Sequence, residues 1–149
     1  MDAFKLLKTD HDQTKEKFKV LLEQDPIDRK AVKDLCKGWK LHMEAEEKFV
    51  YPPLKKIKST EDKSEEGELE HDEAQTYMDA LTDDDDMEEM AYKVKLEMLH
   101  LAVEHHIEEE EQDLFPLARK ALSKEQIEEM TKKVEPLLEK SLKLSAVKK

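Results

Sequence analysis

Apolar residues recur along this chain at helical spacing, and histidines and glutamates fall repeatedly into the same stripes. Over residues 2–23 the stripe runs through Phe4, Leu7, Phe18 and Leu21, with His11 and Thr14 filling its middle. Separations of three, four and seven put such residues on one helix face. Gln24-Asp25-Pro26 ends the helix, because proline has no amide hydrogen to donate. Asp28 suits the N-cap of a second helix, about 28–50, with inward positions Val32, Leu35, Trp39, His42 and Glu46. Pro52-Pro53 breaks or kinks it, and the polar residues 58–66 read as a long loop. A third helix, about 66–81, carries His71, Ala74, Met78 and Leu81. Residues 83–86 read as an acidic turn whose last members cap a fourth helix, about 87–113. They lack the alternating Asp-x-Asp-x-Asp-Gly spacing of a calcium loop. Leu96, Leu99, Val103, His106, Glu110 and Leu114 line one side of that helix, and Pro116 ends or bends it. Ser123-Lys124-Glu125-Gln126 is a capping-box start for a last helix, about 124–144, with Ile127, Met130, Val134 and Leu137 apolar. The longest of these helices would span roughly 33 to 40 Å. The pattern predicts an all-α fold: an antiparallel up-down four-helix bundle, a C-terminal helix packed across it, and one domain over 1–149.

Composition narrows the picture without adding chemistry. The 149 residues include 38 acidic and 26 basic side chains, for a formal net charge of −12. Two glycines fit long helices better than a turn-rich β fold. The single cysteine excludes an internal disulfide framework or a cysteine-based zinc site. The acidic balance argues against nucleic acid or an anionic membrane surface as partner. No stretch approaches a transmembrane span and the first residues lack a signal-peptide core, so a soluble, cytoplasmic protein is expected.

An internal duplication carries the polar residues. At an offset of 64, His42 matches His106, Glu46 matches Glu110, Glu47 matches Glu111, Tyr51 matches Phe115 and Pro52 matches Pro116. The shared pattern is His-x-x-x-Glu-Glu-x-x-x-aromatic-Pro. At an offset of 60, Asp10-His11-Asp12 matches Glu70-His71-Asp72, and Phe18 and Leu21 match Met78 and Leu81. Two equivalent helix pairs imply an approximate two-fold axis.

All the repeated histidines lie in inward stripes. Four imidazoles and two carboxylates therefore converge in one interior, and buried carboxylates without partners cost several kcal/mol. A pair of metal ions resolves that cost. Imidazole nitrogen with carboxylate oxygen suits iron and, less exclusively, manganese or zinc. Glu46 and Glu110 bridging two ions, with two histidines on each, would leave at least one exchangeable position.

The two blocks His42-Met43-Glu44-Ala45-Glu46-Glu47 with Tyr51-Pro52, and His106-Ile107-Glu108-Glu109-Glu110-Glu111 with Phe115-Pro116, resemble those of hemerythrin-like proteins, the HHE cation-binding domain family. The resemblance takes in Leu6-Leu7-Lys8-Thr9-Asp10-His11-Asp12 and nearly the whole chain. It implies a non-haem di-iron centre, two iron ions (Fe2+/Fe3+) with an oxo or hydroxo bridge. His11, His42, His71 and His106 would be terminal ligands, and Glu46 and Glu110 bridging carboxylates. The implied function is binding or sensing oxygen or a related small molecule, nitric oxide or peroxide, with an electron-transfer partner left open. The alternatives are a di-iron enzyme of peroxidase or ferroxidase type and a non-redox, zinc-occupied helical module. Oxygen-carrying hemerythrins typically place a second histidine where this chain has Gln75, and an Asp where it has Glu111. Those departures imply a more symmetric, more open centre, better matched to sensing or scavenging than to oxygen transport.

The remaining candidates read as structural. His100 points away from the stripe and His105 reaches the site only from its edge. Cys36 reads as a buried free thiol, Tyr77 as a packing residue, and Trp39, Leu35, Leu99 and Val103 as the apolar wall above the metals. Glu68 with His71, and Glu97 with His100, have the Glu-x-x-His spacing of ferritin-like di-iron enzymes. They fall on adjacent helices and leave three histidines unused, which ranks that reading lower.

Overall fold

The computed structural model describes residues 1–84 and 86–146. Among the described residues it is all-helical. The long helices are α1 (Ala3–Leu22), α2 (Arg29–Ala45), α4 (Lys58–Thr82), α5 (Glu89–Glu109) and α7 (Lys124–Leu144), with short α3 (Tyr51–Lys55) and α6 (Phe115–Ala121). Helix α2 runs into α3, and α5 into α6, through single π-helical turns, Glu46–Val50 and Glu110–Leu114. Local chemistry sets the helix starts. Asp2 accepts from the Lys5 amide, Asp28 from the Ala31 amide, and Ser123 and Gln126 form a reciprocal capping box.

Three expectations are corrected. Residues 58–66 are helix, not loop, so the third bundle helix starts at Lys58. Its inward positions there are Thr60, Ser64 and Gly67, one helical stripe of small residues instead of apolar ones. Periodicity in hydrophobicity has nothing to register in such a stripe. Thr60 and Ser64 satisfy their hydroxyls on backbone carbonyls, Leu54 O at 2.6 Å and Thr60 O at 2.7 Å. Of the two outcomes expected at Pro52-Pro53 and at Pro116, the break does not occur: each proline falls in the first turn of the short helix that follows the π turn. No intrahelical donor is needed at those positions. The acidic run does not cap the fourth helix either: α5 starts at Glu89, after Glu88, which makes no side-chain cap bond. Asp85, within that run, lies outside the described residues.

Helix α7 lies across α1 and α2. Its Thr131 hydroxyl accepts from the Ala3 amide at 2.8 Å, and Gln13 donates to the Ser145 hydroxyl at 2.9 Å. Gly38 makes this approach possible, since a Cβ there would stand 3.1 Å from Ser141 O. Two apolar clusters fill the interior. One groups Phe18, Leu35, Trp39, Met78, Leu96 and Leu99; the other groups Phe4, Leu7, Tyr51, Leu54, Phe115 and Val134. A buried polar layer separates them.

Candidate metal centre

His11 comes from α1, His42 from α2, His71 from α4 and His106 from α5, while Glu46 and Glu110 are the first residues of the two π turns. All six are buried. The π turns follow from the aromatic–proline pairs, because the proline cannot continue the α-helical hydrogen-bond ladder. Instead the Tyr51 amide donates back five residues to Glu46 O, and the Phe115 amide to Glu110 O. A five-residue return aligns Glu46 with Tyr51 and Glu110 with Phe115 on one face.

The six side chains converge as two overlapping groups: His11, His42, Glu46 and Glu110 form one, and Glu46, His71 and His106 the other. Within them His11 Nε2 lies 3.1 Å from His42 Nε2, and His71 Nε2 lies 3.2 Å from His106 Nε2. Glu46 Oε1 stands 3.4 Å from His42 Nε2 and 3.0 Å from His71 Nε2. Glu110 reaches both sides, with Oε1 3.2 Å from His11 Nε2 and Oε2 3.2 Å from His106 Nε2. Glu46 Oε2, Glu110 Oε1 and His71 Nδ1 are buried without a hydrogen bond; the His11–Glu110 approach is close but lacks hydrogen-bond geometry.

Carboxylates behind the rings decide which nitrogen faces inward. His11 Nδ1 meets Glu111 Oε2 at 2.8 Å, His42 Nδ1 meets Asp10 Oδ2 at 2.6 Å, and His106 Nδ1 meets Glu70 Oε1 at 2.8 Å. Ionised carboxylates only accept, so each Nδ1 is the donor and a neutral ring turns its Nε2 lone pair to the centre. Two such lone pairs 3.1 Å apart repel unless a proton or a cation lies between them. Donor set, inward lone pairs and orphaned carboxylate oxygens therefore fit a metal site, and mixed imidazole and carboxylate donors suit first-row metals.

The electrostatics agree with that fit. Burial alone would depress the His42 imidazole, but the Glu46 charge and the Asp10 hydrogen bond outweigh it and raise it from 6.5 to about 10. His106 is held well above its ordinary range against the same burial, chiefly by Glu110, and His71 is raised by Glu46 and Glu47. Burial opposes ionisation of Glu46, yet the surrounding imidazoles, His42 first, hold it well below the usual carboxylate range. Protons thus occupy the charge-balancing role in the metal-free chain. Burial, with Glu110 and Glu46 beside it, keeps Tyr51 a neutral phenol. Its hydroxyl donates to Glu110 Oε2 at 2.6 Å and lies 3.3 Å from His71 Nε2.

Apolar surfaces close the layer. Trp39 stacks on His42 at 4.3 Å, and Phe115 lies parallel to His11 at 6.0 Å. Near Glu110 a crevice of about 10 Å³, lined by Lys63, Gly67, Glu70 and Leu114 among others, approaches from the surface.

The other candidates stay outside. Gln75 turns away and donates to Asp79 at 2.7 Å. Glu111 does not join the two groups but backs His11. His100 packs on Phe18, while His105 is largely exposed and 3.3 Å from Glu70. Glu68 pairs with Lys55 at 2.6 Å, so the Glu-x-x-His spacing points outward there. Cys36 is a buried free thiol whose titration burial pushes up to about 12. Sequence reasoning aligned Asp10 with Glu70, Glu47 with Glu111 and Tyr51 with Phe115, but assigned them no role. Their repetition was the available signal. Ser141, whose hydroxyl donates to both Asp10 oxygens at 3.0 and 2.9 Å, left no such signal.

The family model for the hemerythrin HHE cation binding domain matches residues 2–118. No curated protein and no solved structure matches the chain.

Two outcomes follow from this geometry. In the metal-free chain His42 titrates at about 10 when folded, against 6.5 as its ordinary value. Its stabilisation is fully present below 6.5 and is lost as pH rises through about 10. Glu46 contributes above its ordinary 4.5 and loses its contribution as pH falls through its lowered folded value. Melting temperatures in chelator should therefore fall from about pH 7 to 10; a rise over that interval would contradict the assignment. Separately, a Cβ on Gly67 would sit 2.6 Å from the Tyr51 hydroxyl oxygen and 2.9 Å from its Cζ. Gly67→Ala should cost about 1–3 kcal/mol in denaturant unfolding, the usual range for overpacking. Adding Tyr51→Phe, which removes the closest contact, should recover part of it. An unchanged midpoint for Gly67→Ala would show the packing to be wrong.

Proposed function

The chain belongs to the hemerythrin HHE cation-binding family, and we propose that it holds a pair of iron ions at the buried histidine–glutamate layer and binds or senses oxygen, nitric oxide or peroxide there. His11 and His42 would serve one ion, His71 and His106 the other, and Glu46 and Glu110 both. The observation that carries this reading is the facing pairs of Nε2 atoms, each ring fixed through Nδ1 or by a neighbouring carboxylate, around orphaned carboxylate oxygens. When bound, such a pair with its oxo or hydroxo bridge supplies redox chemistry and an exchangeable position for a small ligand.

The chain's own residues do the rest. Asp10, Glu70 and Glu111 hold the Nδ1 protons and so keep the inward nitrogens basic. Trp39 and Phe115 exclude bulk water from the histidines of α1 and α2. A crevice of about 10 Å³ leaves room for a group of roughly one water's size, which favours diatomic ligands and peroxide over larger substrates. Tyr51 places a phenolic proton donor 2.6 Å from Glu110. That donor gives a peroxide-consuming enzyme a footing as second reading.

Aerobically purified protein should contain about two irons per chain, one for each of the two donor groups, and absorb in the near ultraviolet. Glu46→Ala and Glu110→Ala should each lower the iron content and abolish that absorption. Zinc alone, with a featureless spectrum, would overturn the iron assignment. The enzyme reading is separated by kinetics. Steady-state peroxide consumption that Tyr51→Phe abolishes at unchanged iron content supports turnover, whereas no consumption by the iron-loaded protein leaves reversible binding.

A further inference from the structure

Six large apolar side chains are exposed among the described residues, and four of them lie on α5: Met90 (72%), Val94 (47%), Met98 (42%) and Leu101 (65%). Their separations of four, four and three make one stripe along the helix. The opposite side of α5 carries the core residues Tyr92, Leu96, Leu99 and Val103, so this helix is apolar on two faces. A helix of that kind is normally covered on both.

The internal duplication supplies a control within the same molecule. At the offset of 64 that relates α2 to α5, Val94, Met98 and Leu101 correspond to Lys30, Asp34 and Lys37. Those three make an ordinary solvated face, with Lys30 and Asp34 paired at 3.6 Å. Helix α7 packs on α1 and α2, and among the described residues no helix covers the stripe on α5. Solvent exposure is thus matched by charge on α2 and contradicted by composition on α5.

Charges along α5 indicate what covers it. Lys93 and Lys95 stand in its first half between Glu89 and Glu97, with Glu104 and Glu108 towards its end. Met98 is close to the midpoint between Val94 and Leu101. We propose that the stripe is the contact between two copies of this chain, paired through antiparallel α5 helices about a two-fold axis near Met98. Val94 of one copy then packs on Leu101 of the other, and Lys93 meets Glu104. An axis at the helix midpoint also brings the exposed Glu97 near its own copy, so the favourable pairing rests on Lys93 with Glu104. A parallel pairing would set Lys93 against Lys93 and Glu104 against Glu104. An isologous contact of this kind is self-limiting, so it closes as a dimer. Because each copy carries −12, repulsion between the copies opposes association and is relieved by salt.

Sedimentation equilibrium of the full, metal-loaded chain tests this. The wild type should be a dimer whose association tightens between about 0.02 and 0.5 M salt, a range over which the screening length shrinks severalfold. Met98→Lys should raise the dimer dissociation constant at least about tenfold, by burying an unpaired charge, while leaving the helical circular dichroism unchanged. Lys93→Glu and Glu104→Lys should each weaken the dimer, and the double reversal should restore it, which a parallel pair would not do. A wild type that stays monomeric at about 0.5 mM, where even millimolar-range association would show, overturns the proposal. So does a dimer indifferent to Met98→Lys or to the charge reversals, which would mean that another surface forms it. Should Met98→Lys lose helicity, the charge reversals, at exposed or half-exposed positions, decide alone.

Discussion

Two carboxylates buried among four imidazoles are the constraint from which the rest of this structure follows. Glu46 and Glu110 sit in a layer between two apolar clusters, where an uncompensated charge costs several kcal/mol. Compensation has to come from at least two helices at once, since no single helix presents enough donors on one face. Helix spacing and helix ends are therefore subordinate to the layer. The π turns begin at the two glutamates, and Gly67, lacking a side chain, admits the Tyr51 ring beside it. In the proposed holoprotein, metal replaces protons as the compensating charge, which makes ligation part of what holds four helices together.

The outer carboxylates show how a duplicated sequence builds such a layer. Each half contributes an acidic residue just before its first histidine and a second glutamate just after its inner one. Across the bundle these meet in exchange: Asp10 of α1 backs His42 of α2, and Glu111 of the second π turn backs His11 of α1. Glu70 of α4 likewise backs His106 of α5. Only His71 departs, with Glu47 at 3.7 Å and its Nδ1 unsatisfied. Because α1, α4 and the second π turn each orient a ligand of another helix, displacement of any of them disturbs a ring it does not itself carry.

Much of this was legible in the order of residues. The stripes through Phe4, Leu7, Phe18 and Leu21, or through Leu96, Leu99 and Val103, are apolar and periodic, and they lie in the core. The six inward histidines and glutamates lay in those same stripes and were visible for that reason. What escaped had physical causes. The start of α4 is buried through small polar residues, which carry no hydrophobic period. The prolines left a break and a kink both open, because a π turn, which places them in a first helical turn, has no signature in hydrophobicity. Ser141 contacts Asp10 across 131 positions of sequence, and a single hydroxyl at that separation leaves no local pattern.

The same duplication shows where the two halves have diverged, and the divergences lie on consistent sides. On the α1–α2 side the inner histidine is backed by a fully buried Asp10, itself held by Ser141 of α7. On the α4–α5 side the equivalent Glu70 is partly exposed and shares its other oxygen with the exposed His105. Tyr51 puts a hydroxyl into the layer where Phe115 puts none. A helix covers the first pair, and a charged face surrounds it; the second pair keeps an apolar stripe at its surface. Helix α7 thus does for one half what nothing within the described chain does for the other. The two histidine pairs are alike in kind and in burial, and differ in what lies outside them. Ligand for ligand the layer is symmetric, yet the crevice at Gly67 and Glu110 opens on its α4–α5 side, lined also by Lys63 and Glu70.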